Sequence, residues 1–384
     1  MKIYFDNAAT TQIHPKVLEV ILPYLKEDFG NPSSIHSYGR KIRVKIEEAR
    51  ETIADFINAE QSEIYFTSSG TEAINFAISG IAKTERSTSG KEKIITSKVE
   101  HQAVLQTCND LSNQGFEILL LDADKESRVN LKQLERLSLR DTSLISLIHI
   151  NNETGSVNNI EYLTKTTNQS NIHIFLDTIQ SFGKVPLDVN KLGVNSIVAS
   201  GHKIYGPKGI GMAYIKNGTP ISPLIFGGSQ ERNRRGGTEN VPGIIGFAEA
   251  VRIAEKEMGD NYKIVAELKN NFIAGLINLG EKGITINSRI NSSPYILSIT
   301  FQSEYYNNDA EAMLIFLDIN GIAASNGAAC TSGTLKPSHV MLNSGMSAEN
   351  TAGTIRFSFS PKNTFEEVEY TLEILKKMGR KFRK

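Results

Sequence analysis

Cysteine is scarce in this sequence, charge of neither sign is in excess, and long apolar runs are missing. The two cysteines, Cys108 and Cys330, are too few for a disulfide framework, which favours a reducing compartment. The 42 basic and 42 acidic residues balance, so the composition predicts no nucleic-acid partner and no membrane surface as a partner. No apolar run approaches the roughly 18 residues of a membrane span, and the N-terminus lacks a signal-peptide pattern. We therefore expect a soluble protein of the cytoplasm.

The order of apolar segments indicates the fold class. Between about residues 60 and 215, short apolar runs alternate with helix-length segments, which predicts an α/β fold with a mostly parallel sheet covered by helices. In such a sheet, ligands bind beyond the C-terminal ends of the strands. The predicted strands are EIYFTSS, KIITS, FEILLL, LISLIHI, IHIFLD and NSIVAS.

The organisation changes after about residue 245. An amphipathic helix is predicted over residues 262–280, with Gly280 as its stop. A strand YILSITF, a helix around AEAMLIFLDI and a strand TIRFSFS follow. The last helix opens with Thr364 and Glu367 in capping-box spacing. This order predicts a smaller α+β domain at the C-terminus.

Two charged residues stand at the ends of predicted strands. Lys203 follows NSIVAS, although a lone loop lysine is more often simply solvated. Asp177 ends IHIFLD, where an unpaired carboxylate is costly. It needs a cationic partner, which could be a protonated pyridine nitrogen or an arginine, or else a structural hydrogen bond.

The stretch FTSSGTEA is a candidate phosphate seat. A predicted strand leads through Gly70 and Thr71 into a helix, and a helix N-terminus offers free N–H groups to an anion. Ser, Gly and Thr at a helix start are also ordinary N-caps, and the stretch lacks a nucleotide P-loop pattern. Taken with Lys203 and Asp177, it supplies the phosphate seat, the lysine for a Schiff base and the acid that pyridoxal 5'-phosphate (PLP) requires.

Other polar residues near these strand ends are candidates for the same site, and no metal ligands are predicted. Ser200 and His202 could donate to the phosphate, while Gln180 and Asn152 could contact the ring oxygen and its surroundings. His101 could stack on the ring or transfer protons, although a packed histidine at a helix start is at least as common.

The whole chain resembles the NifS/IscS-type cysteine desulfurases, which are class-V aminotransferase-like PLP enzymes of fold type I. The resemblance rests on motifs in a fixed order, namely YFDNAATT, FTSSGTEA, EHQAVL, NNETG, DTIQS, SGHKIYGPKGIG, GGTENVPGI, GAACTSG, PSHV and IRFSFS. It implies a large PLP-binding α/β domain over residues 15–250. It also implies a small α+β domain, formed by residues 1–14 and 251–384, that contains the catalytic cysteine loop. FSFSPKNT stands where the family usually has a Gly-Arg pair, and TSSGTE replaces the commoner Gly or Ala before Gly-Thr.

The resemblance also implies roles for individual residues. Lys203 would bind PLP covalently, Asp177 would face the pyridine nitrogen and Gln180 the ring hydroxyl. The phosphate would be held by Gly70, Thr71, Ser200 and His202, and the ring lined by Asn152 and His101. Thr238 would reach the phosphate of a partner subunit, which implies a homodimer.

The remaining implied residues act on the substrate. Arg356 alternates with Ile355 and Phe357 on a predicted strand, so it points to the opposite face and could bind the carboxylate of L-cysteine. The alternative interpretation is that Arg356 is a surface arginine on an edge strand. Cys330, set among small residues that would permit motion, would attack the substrate sulfur and hold it as a persulfide.

The last predictions concern Cys108 and the function of the protein. Cys108 shares a helical stripe with Val104 and Leu111, which favours a core cysteine. A cysteine desulfurase would pass sulfur to an acceptor protein, such as an iron–sulfur scaffold or a tRNA-thiolation protein. The alternatives are a selenocysteine lyase, another class-V PLP enzyme, or a non-catalytic scaffold.

Overall fold

The computed structural model describes residues 1–168, 170–288, 291–326 and 337–384. No helix within these ranges is long and apolar enough to cross a membrane. The strands are β1 (Ile3–Tyr4), β2 (Ile64–Thr67), β3 (Lys93–Ser97), β4 (Glu117–Leu121), β5 (Thr142–Ile148), β6 (His173–Asp177), β7 (Ser196–Ser200), β8 (Gly211–Ile215), β9 (Ile284–Ile286), β10 (Ile296–Phe301), β11 (Ile322–Ala323) and β12 (Thr354–Ser358). The helices are α1 (Pro15–Lys26), α2 (Ser37–Phe56), α3 (Gly70–Ser89), α4 (Gln102–Asn113), α5 (Ile160–Thr167), α6 (Val189–Leu192), α7 (Gln230–Asn233), α8 (Val241–Asn278), α9 (Ala310–Ile319), α10 (His339–Asn343), α11 (Ala348–Thr351) and α12 (Phe365–Phe382).

The main sheet has seven strands in the order β2-β8-β7-β6-β5-β3-β4. All neighbouring pairs are parallel except those that involve β8, which runs antiparallel to β7 and β2. The mostly parallel sheet predicted from the sequence is therefore confirmed, while β8 was not identified as a strand. Because the other strands run in one direction, Ser97, Asp177 and Ser200 end at the same edge of the sheet.

A second hydrophobic core lies around a three-stranded antiparallel sheet in the order β12-β10-β9. The first residues of the chain also pack there, since Phe5 is fully buried in this core and β1 pairs in parallel with β11. The predicted capping box at the start of α12 is present, with Thr364 and Glu367 exchanging hydrogen bonds with the backbone.

Helix α8 belongs to both cores. Its first half buries Ile244 and Phe247 in the core of the main sheet, and its second half buries Leu268 and Phe272 in the second core. The sequence predicted only residues 262–280 as helix. The first half has an apolar stripe of its own, formed by Ile244, Phe247 and Val251, which the sequence analysis did not identify.

A left-handed turn precedes α8 and is held by a buried ion pair. Glu231, Arg232 and Asn233 all have positive φ, at 44°, 54° and 62°, and a left-handed helix costs non-glycine residues about 1–2 kcal/mol each. Both oxygens of Glu231 accept from the Arg50 guanidinium at 2.8 Å, and one also accepts from the Phe66 N–H at 2.8 Å. This anchor fixes the segment that continues to Arg235 and Thr238.

Replacing Arg50 with methionine should destabilise the protein strongly, because the buried Glu231 carboxylate loses its counter-charge. We expect the free energy of unfolding to fall by about 3–5 kcal/mol, measured by urea denaturation. The exposed Lys165–Glu161 pair offers a matched control, and Lys165→Met should leave stability unchanged within error. Equal effects of the two substitutions would contradict the role assigned to the Arg50–Glu231 pair.

Candidate active site

Lys203 lies at the C-terminal edge of the main sheet, in a single helical turn directly after β7. Its Nζ donates to the backbone oxygens of Ala8 at 2.6 Å and Ala9 at 2.7 Å. Burial and the neighbouring Arg356 charge lower the pKa of Lys203 to about 8. A larger share of this amine is therefore neutral near pH 7 than for an exposed lysine, and the neutral amine is the form that attacks a carbonyl or accepts a proton.

Asp177, the last residue of β6, is buried beside this lysine. One carboxylate oxygen accepts from the Ile179 N–H at 3.0 Å. Burial raises the pKa of Asp177, and the nearby charges of His101 and Lys203 oppose that rise. Since β6 adjoins β7 in the sheet, the two residues singled out at predicted strand ends lie together.

His101 borders the same group of charges and also caps a helix. Its Nδ1 accepts from the Ala103 N–H at 3.1 Å at the start of α4, so the ring proton lies on Nε2. Burial lowers the pKa of His101, which Asp177 partly opposes. The interpretation of His101 as a histidine packed at a helix start is therefore correct for Nδ1. The other ring nitrogen, Nε2, remains available to a ligand.

Gln180 is joined to Lys203 through one backbone carbonyl. Its Nε2 donates to Ala8 O at 3.0 Å, the same oxygen that accepts from Lys203. Its Oε1 accepts from the buried Lys184 at 3.1 Å. The sequence reasoning missed Lys184, although a lysine within the apolar stretch SFGKVPL was an available signal.

Arg356 is buried, not exposed at the edge of its sheet. Its guanidinium donates to the Asp6 carboxylate at 2.9 Å and to Asn152 O at 2.8 Å. Within the part of the chain that the structure describes, its Nε and the Asn152 side-chain oxygen are both buried without a hydrogen-bond partner. Unpaired buried polar atoms are costly, so the two atoms indicate a polar ligand. Asp6 was not assigned a role from the sequence.

The residues predicted to hold phosphate lie at the start of α3 and the end of β7. Ser69 caps α3, and Gly70 is its first residue. A Cβ on Gly70 would lie 2.5 Å from the Ile179 side chain and 3.5 Å from Ser200, so glycine permits this close approach. Thr71 is exposed.

His202 and Ser360 each make a side-chain contact near the turn that follows β7. His202 Nδ1 is 3.1 Å from the Thr10 hydroxyl, and burial lowers its pKa to about 4. Ser360, one of the departures from the family pattern, is buried and accepts from the Tyr205 hydroxyl at 3.0 Å.

Two predicted residues are not placed with this group. Thr238 is exposed and lines a separate small cavity with Ser68, Gly209 and Arg235. Cys330 lies outside the described residues. Cys108 is buried in the core beside α3, where burial raises the pKa of its thiol to about 12, so the prediction of a core cysteine is confirmed.

The comparisons with known proteins agree with one another. Residues 3–371 match the family described as aminotransferase class-V. The cysteine desulfurase IscS of Dictyoglomus turgidum is 45% identical over 386 residues, which cover 100% of this chain and 95% of that protein.

Solved structures show the same relationship. A structure described as a NifS-like protein superposes with a TM-score of 0.90 at 37% identity, covering 98% of this chain and 99% of that one. A structure of SspA in complex with cysteine superposes with a TM-score of 0.82 at 33% identity, covering 95% and 100%. The family model, the full-length identity and the shared fold lead to one conclusion: the chain belongs to the aminotransferase class-V family and, within it, to the NifS/IscS-type cysteine desulfurases.

Proposed function

We propose that the protein binds L-cysteine at the edge of the main sheet and, with PLP, removes its sulfur as a persulfide on Cys330, leaving L-alanine. The observation that supports this most directly is the convergence of Lys203, Asp177 and Arg356 at one buried edge. These residues supply an amine of lowered pKa, an acid for a pyridine nitrogen and a guanidinium for a carboxylate. The relatives named cysteine desulfurase favour this reaction over that of a selenocysteine lyase.

The donor set at this edge fits PLP. The start of α3, with Gly70 and Thr71, would hold the phosphate through free N–H groups, assisted by Ser200 and His202. The Asn152 side-chain oxygen, which has no partner among the described residues, and Nε2 of His101 would line the ring. Gln180 would donate to the ring oxygen, and Lys203 would bind the aldehyde carbon. When bound, PLP supplies an electron sink for the carbanion formed at the substrate Cα.

The side chains of this chain then have separate tasks. Arg356 binds the substrate carboxylate and fixes its orientation, while Asp6 and Asn152 O hold the guanidinium in place. Lys203 Nζ in its neutral form would accept the proton from the substrate Cα. The charge of the Asp177 carboxylate would favour a protonated pyridine nitrogen. His101 Nε2 could donate or accept a proton.

Cys330 is assigned the sulfur-transfer step on the motif GAACTSG. Its thiol loses a proton, and the thiolate sulfur forms a bond to the substrate sulfur. The bond between the substrate sulfur and Cβ breaks, and the carbon retains the electron pair and takes up a proton, so that alanine results. L-cysteine and the Cys330 thiol are thereby converted to L-alanine and the Cys330 persulfide, without an external oxidant. The terminal sulfur would pass to an acceptor protein, either an iron–sulfur scaffold or a tRNA-thiolation protein. A reduced thiol of this kind suits the cytoplasm.

We also propose a homodimer in which Thr238 reaches the partner subunit's phosphate site. Thr238 makes no side-chain hydrogen bond within the described residues. An exposed apolar segment lies beside it, with Phe226 83% exposed and Leu224 and Ile225 each 38% exposed. The Gly236 N–H donates to Ile225 O at 3.0 Å and ties this segment to the Thr238 turn. An apolar patch of this kind supports a protein contact.

Lys203→Ala should prevent covalent attachment of PLP, since no other amine replaces Nζ beside Ala8 and Ala9. Borohydride treatment of the wild-type holoenzyme should add the mass of the reduced cofactor to the Lys203 peptide. The variant should gain no such mass, and alanine formation should fall by about 10²-fold or more. Lys208→Ala, an exposed position in the same loop, is the control and should behave as wild type. Normal turnover by Lys203→Ala would refute the assignment.

Cys330→Ser should still bind PLP and L-cysteine but release essentially no alanine, because a hydroxyl is far less ionised and less nucleophilic than a thiol. Cys108→Ser is the control. It should retain activity and lose about 1–3 kcal/mol of stability, since a buried hydroxyl replaces a thiol. Mass spectrometry after one turnover should find added sulfur only on the Cys330 peptide. Sulfur on Cys108, or normal alanine release by Cys330→Ser, would contradict the proposal.

Phe226→Glu should shift the protein from dimer to monomer, because a charge would be buried at the subunit contact. Sedimentation equilibrium at micromolar concentration would measure the change. Ile319→Glu, at an equally exposed apolar position on α9 (78% exposed), should leave the dimer intact. A monomeric wild type would rule out the role proposed for Thr238.

A further inference from the structure

Lys184 is a buried lysine without a carboxylate partner among the residues described. It is 7% exposed, and its Nζ lies 5.4 Å from the centre of the Tyr295 ring. Gln180 Oε1 is the hydrogen-bond acceptor found for it in the described part of the chain. Burial and the charges of Lys203 and Arg356 lower its pKa to about 7. A buried cation in these surroundings is costly for stability. This cost indicates that Lys184 has a role other than stabilising the fold.

The two contacts of Gln180 define the direction of its amide. A lysine ammonium can only donate hydrogen bonds and a backbone carbonyl can only accept them. The Oε1 atom must therefore face Lys184, and Nε2 must face Ala8 O at 3.0 Å. Each amide nitrogen has two hydrogens, and Ala8 O takes one of them. The second is not taken by an acceptor among the described residues, and Ala8 O, which Gln180 shares with Lys203, places the amide beside that lysine.

In its protonated form, which a nearby anionic ligand favours, the Lys184 amine on Oε1 also changes the strength of that donor. Hydrogen bonds in a chain polarise one another, and the effect is larger where water is excluded. The Lys184 contact draws electron density toward Oε1 and makes the free N–H of Gln180 a stronger donor to an anionic oxygen.

We propose that Lys184 is a positioning residue that clamps and polarises Gln180, so that Gln180 donates a strengthened hydrogen bond to the ring oxygen of PLP. This inference rests on the proposed function and extends it to a residue that touches neither substrate nor cofactor. Lys184 acts only through Gln180, and Ala8 O completes the clamp at the other end of the amide.

The test is a double-mutant cycle on PLP affinity, read by titrating PLP into apo protein. Lys184→Met, which keeps the length of the side chain and removes the donor, should raise the Kd for PLP about tenfold, the effect of losing one charge-assisted hydrogen bond. In a Gln180→Leu background the same substitution should have no further effect. Lys184→Gln, which retains an N–H donor, should restore part of the affinity.

Lys269→Met is the matched control. Lys269 is 4% exposed, its pKa is also lowered to about 7, and it donates to the Ser292 hydroxyl and Ser293 O rather than to Gln180. This variant should leave the PLP Kd unchanged whatever it does to urea unfolding. An unchanged Kd in Lys184→Met, or an equal loss in the wild-type and Gln180→Leu backgrounds, would overturn the inference. Different results would refute the proposed function itself, namely a wild type that binds no PLP or a Lys203→Ala variant that still binds PLP covalently.

Discussion

Removal of water from charged groups at the C-terminal edge of the main sheet is the constraint on which the rest of the site depends. Asp177, Lys203 and Arg356 are all largely buried there, and each would be unstable in isolation. Their energies are linked, because the pKa of Lys203 responds to Arg356 and Asp177, and that of Asp177 responds to His101 and Lys203. Burial lowers the pKa of the amine and raises that of the acid. The same burial therefore brings both groups closer to titrating near neutral pH.

The N-terminal segment holds this edge together. Phe5 lies in the second core, while Asp6 pairs with Arg356 on β12. Two residues later, Ala8 O accepts from both Lys203 and Gln180, which follow strands β7 and β6 of the main sheet. One short stretch of backbone thus fixes Arg356, which we propose binds the substrate, against Lys203. Helix α8 gives the same two cores a second, purely apolar connection.

Buried lysines divide into two kinds in this molecule. Lys269 donates to a serine hydroxyl and a backbone carbonyl, which suffices as a structural role. Lys184 instead donates to the side chain of Gln180, and through that amide it is linked to Ala8 O and Lys203. Similar burial and similarly lowered pKa values therefore have different consequences, and the identity of the acceptor decides which.

The sequence by itself determined the parallel sheet and the grouping of its polar strand ends. Alternating strands and helices bring the C-terminal ends of parallel strands to one edge, so Asp177 and Lys203 could be placed together from their positions alone. The alternation of residues along β12 predicted which face of the strand contains Arg356. It did not predict that Arg356 is buried or that it pairs with Asp6. Those depend on contacts between residues some 350 positions apart. The tertiary structure alone decided the role of Ala8 O and the Gln180–Lys184 contact, because no local pattern records which distant group fills a buried space.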